Sequence, residues 1–274
     1  MSGRSKRLLS VTTIAAVAGT AIAAVPASAP AVPVITMSGS TSVAPLASLL
    51  VRKYNQQFHN RARFRLAQGG SDVGVADVAA GRVSIGNSSR DKKSSDDPGL
   101  VFNRIAKDAI CVVTNPKNGV PNLTQSQIQG IFSGRVRNWS DVPGAKASGS
   151  INLIVRTAAS GTQDAFQKIF MGSSSVSGAA AAKASNGLVQ QTVSSDPNAV
   201  GYVSLDFVKG TTPAAYNGVA CNLRNAKSAQ YGGVRSFYMV TKGPARGATF
   251  RFINWVQKSS AANKIVGTHW VPLH

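Results

Sequence analysis

The sequence predicts an α/β fold, and three observations predict it. Short β-rich runs alternate with stretches whose apolar residues recur at helical spacing. Three of the junctions, SGSTSVAP, QGGSDVGV and RTAASGTQ, put glycines and hydroxyls where a strand turns into a helix. The chain has 274 residues and no internal repeat, a length that suits one large domain or two lobes once a leader is set aside.

In chain order, VPVITMSGS opens the fold as a strand, and SVAPLASLLVRKYNQQF follows as a helix with Val43, Leu46, Leu49, Leu50, Tyr54 and Phe58 on one face. RARFRLAQGG reads as a strand ending in glycines, and SDVGVADVAAG as a short helix closed by Gly81. VSIGNSS and AICVVTNP are further strands, the second stopped by Asn115 and Pro116. In LTQSQIQGIFSG, Thr124 and Gln127 have the spacing of a capping box at the start of a helix. INLIVR is a strand leading into the helix SGTQDAFQKIFM. The alanine run in MGSSSVSGAAAAKASNG has high helix propensity and predicts a surface helix between loops. AVGYVSLDFV and VRSFYMVTKG are strands, and TFRFINWVQKS is an amphipathic helix with Phe250, Ile253, Trp255 and Val256 as its expected core face.

The N-terminus carries an export pattern: Arg4, Lys6 and Arg7, an apolar run from Leu8 to Val25, and the small residues Ala27 to Ala29. A signal peptide over 1–29 is expected, which would leave the mature chain outside the cytoplasm; the same run is also long enough to be read as a retained anchor. No cysteine stands near the cleavage point to carry a lipid. The chain's cysteines, Cys111 and Cys221, could pair in an exported protein or stay as buried thiols.

The formal charge is +20, three of those charges lie in the leader, and all ten acidic residues are aspartate. So basic a chain attracts anions, whether small oxyanions, nucleic acid or an anionic envelope. The densest cluster, Arg52 to Arg65, lacks the interleaved aromatics of a single-strand binder and reads as a solvated helix face, so no nucleic-acid partner is expected.

Each of the three turns would aim a helix N-terminus, with unpaired amides and partial positive charge, at whatever the turns enclose. Serine and threonine are ordinary caps, so one such turn says little. Three together, with Arg156 beside the last, describe an anion cage, since guanidinium matches an oxyanion with parallel charge-assisted bonds.

The joint order GSTSVAPL, GGSDVGVADVAAGRVSIGNSSR, LTQSQIQGIFSGRVRNWSDV, RTAASGTQDAF and AVGYVSL resembles the substrate-binding proteins of phosphate ABC transporters, in the type 2 periplasmic-binding-protein fold. The resemblance spans nearly all of the chain after the leader. It implies two α/β lobes around a ligand cleft, lobe I from 30–112 with 238–274 and lobe II from 113–237. The hinge crossings would fall near Cys111 to Thr114 and Phe237 to Val240, which brings both cysteines near the hinge. It implies phosphate as ligand, ABC permease subunits as partners, a monomer, and no cofactor. Carried residue by residue, its ligand set is Thr41 and Ser42, then Ser71, then Ser89 followed by Arg90, then Arg156, Ser160, Gly161 and Thr162. Some relatives have an aspartate at the Ser89 position, which takes the proton of bound phosphate and rejects sulfate. Asp72 and Asp164 are candidates for a substitute acceptor, and each also reads as a first-turn helix aspartate. Phosphate is the first expectation and sulfate or another oxyanion the alternative. Trp139 is expected to pack rather than bind, and Tyr202 to support the cleft wall.

An enzyme is not expected. His59, His269 and His274 all lie outside the candidate loops, AASGTQD is not a nucleophile elbow, and no Cys/His cluster has zinc spacing. The competing class is a secreted basic protein that holds anionic envelope polymers.

Overall fold

The computed structural model describes residues 31–274; the expected signal peptide, 1–29, lies outside them. The first third of the described chain runs β1 (Val34–Gly39), α1 (Ala44–Gln57), β2 (Arg63–Leu66), α2 (Ser71–Ala79), β3 (Ile85–Ser88) and β4 (Leu100–Thr114). Next come β5 (Asn122–Leu123), α3 (Gln125–Phe132), β6 (Asn152–Arg156) and α4 (Gly161–Phe166), which continues as a wider turn over Gln167–Met171. The remainder is β7 (Ala181–Lys183), α5 (Asn186–Ser195), β8 (Ala199–Ser204), β9 (Thr212–Pro213), β10 (Ala215–Tyr216), α6 (Leu223–Lys227), β11 (Val234–Lys242), α7 (Gly247–Lys258) and α8 (Ser260–His269).

The main sheet has the order β2-β1-β3-β11-β4-β8-β6-β7. Its strand-helix units are parallel, and β11 and β4 run antiparallel through its middle. Alternation along β11 assigns its two faces: Phe237 and Met239 enter a core with α1, α7 and α8, while Tyr238 and Val240 enter one with α2. Beyond β4 a separate core takes Ala109 to Val113 of β4 together with α3, α4, α5 and β8. The changeover between cores falls between Ala106 and Ala109 on β4 and between Val234 and Phe237 on β11, a few residues before the expected crossings. These two strands are the continuous connections between the halves.

Two local expectations differ from the structure. The alanine run forms no helix; Ala181–Lys183 pairs in parallel with Ile154–Arg156 as the sheet's last strand. The run is bounded by Gly178 and Ser185, and so few residues cannot offset the cost of helix nucleation against the ladder bonds that β6 offers. Phe250 is 53 % exposed, and Phe252 takes its expected place in the core with Ile253, Trp255 and Val256. The capping box of α3 is formed, with Thr124 Oγ1 accepting from the Gln127 amide at 3.2 Å and Gln127 Oε1 from the Thr124 amide at 2.8 Å.

Cys111 and Cys221 form a disulfide that ties β4 to the segment before α6, across 110 residues of chain. Closing so long a loop constrains the unfolded state, by about 2–4 kcal/mol for a typical bridge. Replacing both cysteines with serine is expected to lower the melting temperature by about 5–15 °C. Anion affinity should stay within a few-fold, because neither cysteine reaches the cleft; calorimetry on the double variant reads both quantities.

Candidate functional site

The three turns meet where the two halves face each other. The first, between β1 and α1, holds Ser40, whose Oγ accepts from the amides of Ser42 and Val43 and donates to Ser89 Oγ at 2.9 Å. Ser40 thus holds the turn that leads into α1, and Thr41 and Ser42 stand at its tip. The second turn depends on Gly70: its φ is +100° and a Cβ there would lie 2.7 Å from the Ala159 carbonyl oxygen, so a side chain would push the turns apart. Beyond it Ser71 Oγ accepts from the Ser89 amide at 3.0 Å, and the Asp72 amide donates to the Ala159 carbonyl at 3.0 Å. In the third, Ser160 Oγ caps α4 by accepting from the amides of Thr162 and Gln163. Thr162 Oγ1 and Ser42 Oγ lie 3.0 Å apart, which joins the third turn to the first.

Gly161 is needed for close approach. A Cβ there would stand 2.4 Å from Ser71 Oγ and 2.8 Å from Ser89 Oγ. Gly161→Ala is therefore expected to hold the halves apart at about 1–3 kcal/mol. Titration calorimetry should then read a loss of anion affinity of about 10- to 100-fold without a matching loss of melting temperature.

Arg156, at the end of β6, is 3 % exposed. Its Nε and Nη2 donate to the carbonyls of Lys183 and Ala184 at 3.1 and 2.9 Å, and its Nη1 reaches Thr162 Oγ1 at 3.4 Å. No carboxylate pairs with it among the described residues. Burial, and then the charge of Arg235, pull its guanidinium down to about 10. An anion beside it would relieve both effects. Tyr202 supports this strand: its hydroxyl accepts from the Arg156 amide at 3.0 Å and its ring stacks on Phe166 at 3.8 Å. Trp139 is fully buried and donates from its indole to the Asn198 carbonyl, a packing role.

Sequence reasoning missed Arg235, Asp108 and Asn186. Arg235 on β11 stands opposite Asp108 on β4, at the junction of the halves. Its Nε and Nη2 donate to Asp108 Oδ2 at 3.1 and 2.9 Å, and the rest of the fork spreads over the turns: Nη2 to Ser42 Oγ at 2.9 Å, Nη1 to Thr162 Oγ1 at 2.9 Å and to Ser89 Oγ at 3.3 Å. Ser204 donates to the other carboxylate oxygen at 2.8 Å. Burial pushes the Asp108 carboxyl up and the Arg235 guanidinium down, while their pairing opposes both shifts. Asn186, the first residue of α5, donates to Thr41 Oγ1 and Ser42 Oγ at 3.2 and 2.8 Å. In the sequence Arg235 was only a polar position in a strand and Asn186 part of a loop; opposite-charge residues in β-rich runs, too polar for a core, were the available signal.

The structure places Arg90 differently from its expected ligand role. Its fork donates to Asp96 at 2.7 and 2.9 Å and to Asp72 at 2.5 Å, and both carboxylates hold its guanidinium up against burial. The two acceptor candidates are likewise committed: Asp72 lies against Arg90 and Lys93, and Asp164 against Lys93 and Lys168. Around Ser42, Ser89 and Thr162, then, two guanidiniums, an amide and several hydroxyls converge with one carboxylate behind them. Donors outnumber acceptors and the cluster carries net positive charge, the chemistry of an oxyanion site.

The chain matches a family model described as a PBP superfamily domain over residues 24–260. It is 26 % identical to the phosphate-binding protein PstS of Bacillus subtilis over 237 residues, covering 85 % of this chain and 78 % of the relative. Among solved structures it is similar to one from Clostridium perfringens assigned as a phosphate ABC transporter substrate-binding protein with bound phosphate. That likeness has a TM-score of 0.82 and 28 % identity, over 88 % of this chain and 100 % of that one. An ABC-type phosphate transport receptor from Vibrio cholerae is 30 % identical with a TM-score of 0.71, over 86 % of this chain and 99 % of that one.

Proposed function

The chain belongs to the PBP superfamily and, within it, to the substrate-binding proteins of phosphate ABC transporters, and from that premise we propose that it binds inorganic phosphate between its halves and delivers it to membrane permease subunits. The observation that carries the reading is the pair of buried guanidiniums, Arg156 and Arg235, which reach the hydroxyls of Ser42, Ser89 and Thr162 with a single carboxylate to balance them. The proposed contacts are Thr41, Ser42, Ser71, Ser89, Arg156, Gly161, Thr162, Arg235 and Asn186, with Ser160 holding its helix in place. Because β4 and β11 are the continuous links between the halves, they are the proposed hinge. Closure would bring both halves to the permease as one ligand-dependent surface. The protein acts outside the cytoplasm, as a monomer, and as a binder rather than an enzyme.

Sulfate remains a second reading on a specific observation: Ser89 offers a hydroxyl where an acceptor would recognise a protonated anion, and Asp72 and Asp164 face lysine and arginine instead. A site in which donors dominate and no free carboxylate faces the ligand rewards any tetrahedral dianion. Calorimetric titration of ligand-stripped protein with phosphate and then sulfate, at near-physiological salt, separates the readings. Saturable one-to-one phosphate binding is expected; no heat with phosphate at any concentration short of crowding would overturn the proposal.

A further inference from the structure

Every acidic side chain of the protein lies between Asp72 and Asp206. The stretches 32–71 and 242–274 hold ten arginines and lysines and no aspartate or glutamate. The fold puts these two stretches together: α1, α7 and α8 share one core, and β2 is the edge strand beside them. All ten cations except the half-buried Lys53 are exposed, and none makes an ion pair among the described residues. A randomly mixed surface would intersperse carboxylates, so this face presents an uncompensated positive field.

In that face lies a groove of about 430 Å³ between the end of α1 and α7. Trp255 lies along it, 9 % exposed; Phe58 and Phe250 form its walls, 37 % and 53 % exposed, and Arg61, Arg251 and Lys258 rim it. Among the described residues no carboxylate lines it. Thr41 and Ser42 lie at the opposite end of α1, whose 14 residues span about 21 Å, so the groove and the oxyanion cage can be filled at once.

We propose that this face binds a linear polyanion of the phosphodiester class, such as an anionic polymer of the cell envelope, laid along the groove. Three features select that partner. Six of the ten cations are arginine, whose fork matches phosphate oxygens in pairs. The charges are spread over a strand edge and three helices, which suits a flexible line charge that releases counterions along its length. The aromatic surface is a recess rimmed by cations rather than an apolar ridge standing above them, which disfavours burial in a bilayer.

Trp255 provides the readout, because Trp139 and Trp270 are at most 1 % exposed. Titrating the exported protein with poly(glycerol phosphate) should change tryptophan emission saturably. The triple variant Arg61→Ala/Arg251→Ala/Lys258→Ala, all exposed positions remote from the cage, should bind at least about tenfold more weakly. Its dependence of log K on log salt should be shallower by about two, for three lost phosphate contacts at about 0.7 each. Phosphate calorimetry on the same variant should be unchanged, which reports an intact fold. The proposal is overturned if the polymer leaves emission unchanged or if the triple variant binds it equally well. It is also overturned if polyacrylate of equal charge density binds as tightly, which would make the effect one of charge alone. Vesicles of phosphatidylglycerol binding more tightly than the polymer would assign the face to a membrane surface instead.

Discussion

Replacing Arg156 by alanine is expected to weaken phosphate binding by about 30-fold to several thousandfold while leaving the fold intact. The range follows from the cost of truncating one member of a buried, hydrogen-bonded charge pair, about 2–5 kcal/mol. Stability should hardly suffer, because Arg156 is a buried cation without a carboxylate partner, and its removal relieves repulsion with Arg235 and a desolvation penalty. Against those gains stand two carbonyls, of Lys183 and Ala184, that lose a donor. The melting temperature of the ligand-free variant should thus stay within a few degrees of the parent. The thermal shift that phosphate gives the parent should largely disappear, since stabilisation by a ligand scales with its affinity.

Arg235→Ala should differ in stability: it should lose both binding and stability. The substitution strands the Asp108 carboxylate, whose side chain is 0 % exposed, with only the Ser204 hydroxyl left to donate to it. Breaking a buried pair in this way costs about 3–5 kcal/mol. The sign of the pH dependence is fixed. With Arg235 gone, burial raises the Asp108 carboxyl above its unfolded value with no cation opposing it. A folded-state acid that binds its proton more tightly than the unfolded chain gains stability as pH falls, so the deficit of the variant should shrink from neutral pH toward the raised value. Arg235→Ala/Asp108→Asn should recover much of the stability but not the binding, because the neutral amide needs no cation while the cage still lacks its second guanidinium. Denaturant melts and phosphate titrations of the three proteins would check both statements.

Much of this architecture is legible in the sequence, and the reason is local. Strand alternation, the Thr124–Gln127 cap, Gly70 and the serine-rich turns encode their own conformations within a few residues, so the three turns could be placed in order. Arg156 was legible because it adjoins one of those turns. Arg235, Asp108 and Asn186 were not, because their role exists only through pairings that join β4 to β11 and α5 to the first turn, 127 and 144 residues apart in sequence. Arg90 shows the converse failure. Its neighbour Ser89 does face the cage, but the guanidinium turns away to Asp96 and Asp72, a choice made by two aspartates whose direction the sequence does not reveal. Phe250 and the alanine run failed for a related reason: propensity and periodicity describe an isolated segment, and the core and the edge of β6 decided where each went.

The most direct test of the central claim is a crystal structure of the exported protein grown with phosphate. One tetrahedral ion is expected between the halves, within hydrogen-bond distance of both Arg156 and Arg235 and of the hydroxyls of Ser42, Ser89 and Thr162, with Arg90 still on Asp96. An empty cage at saturating phosphate, or an ion bound elsewhere with Arg235 serving only Asp108, would contradict it.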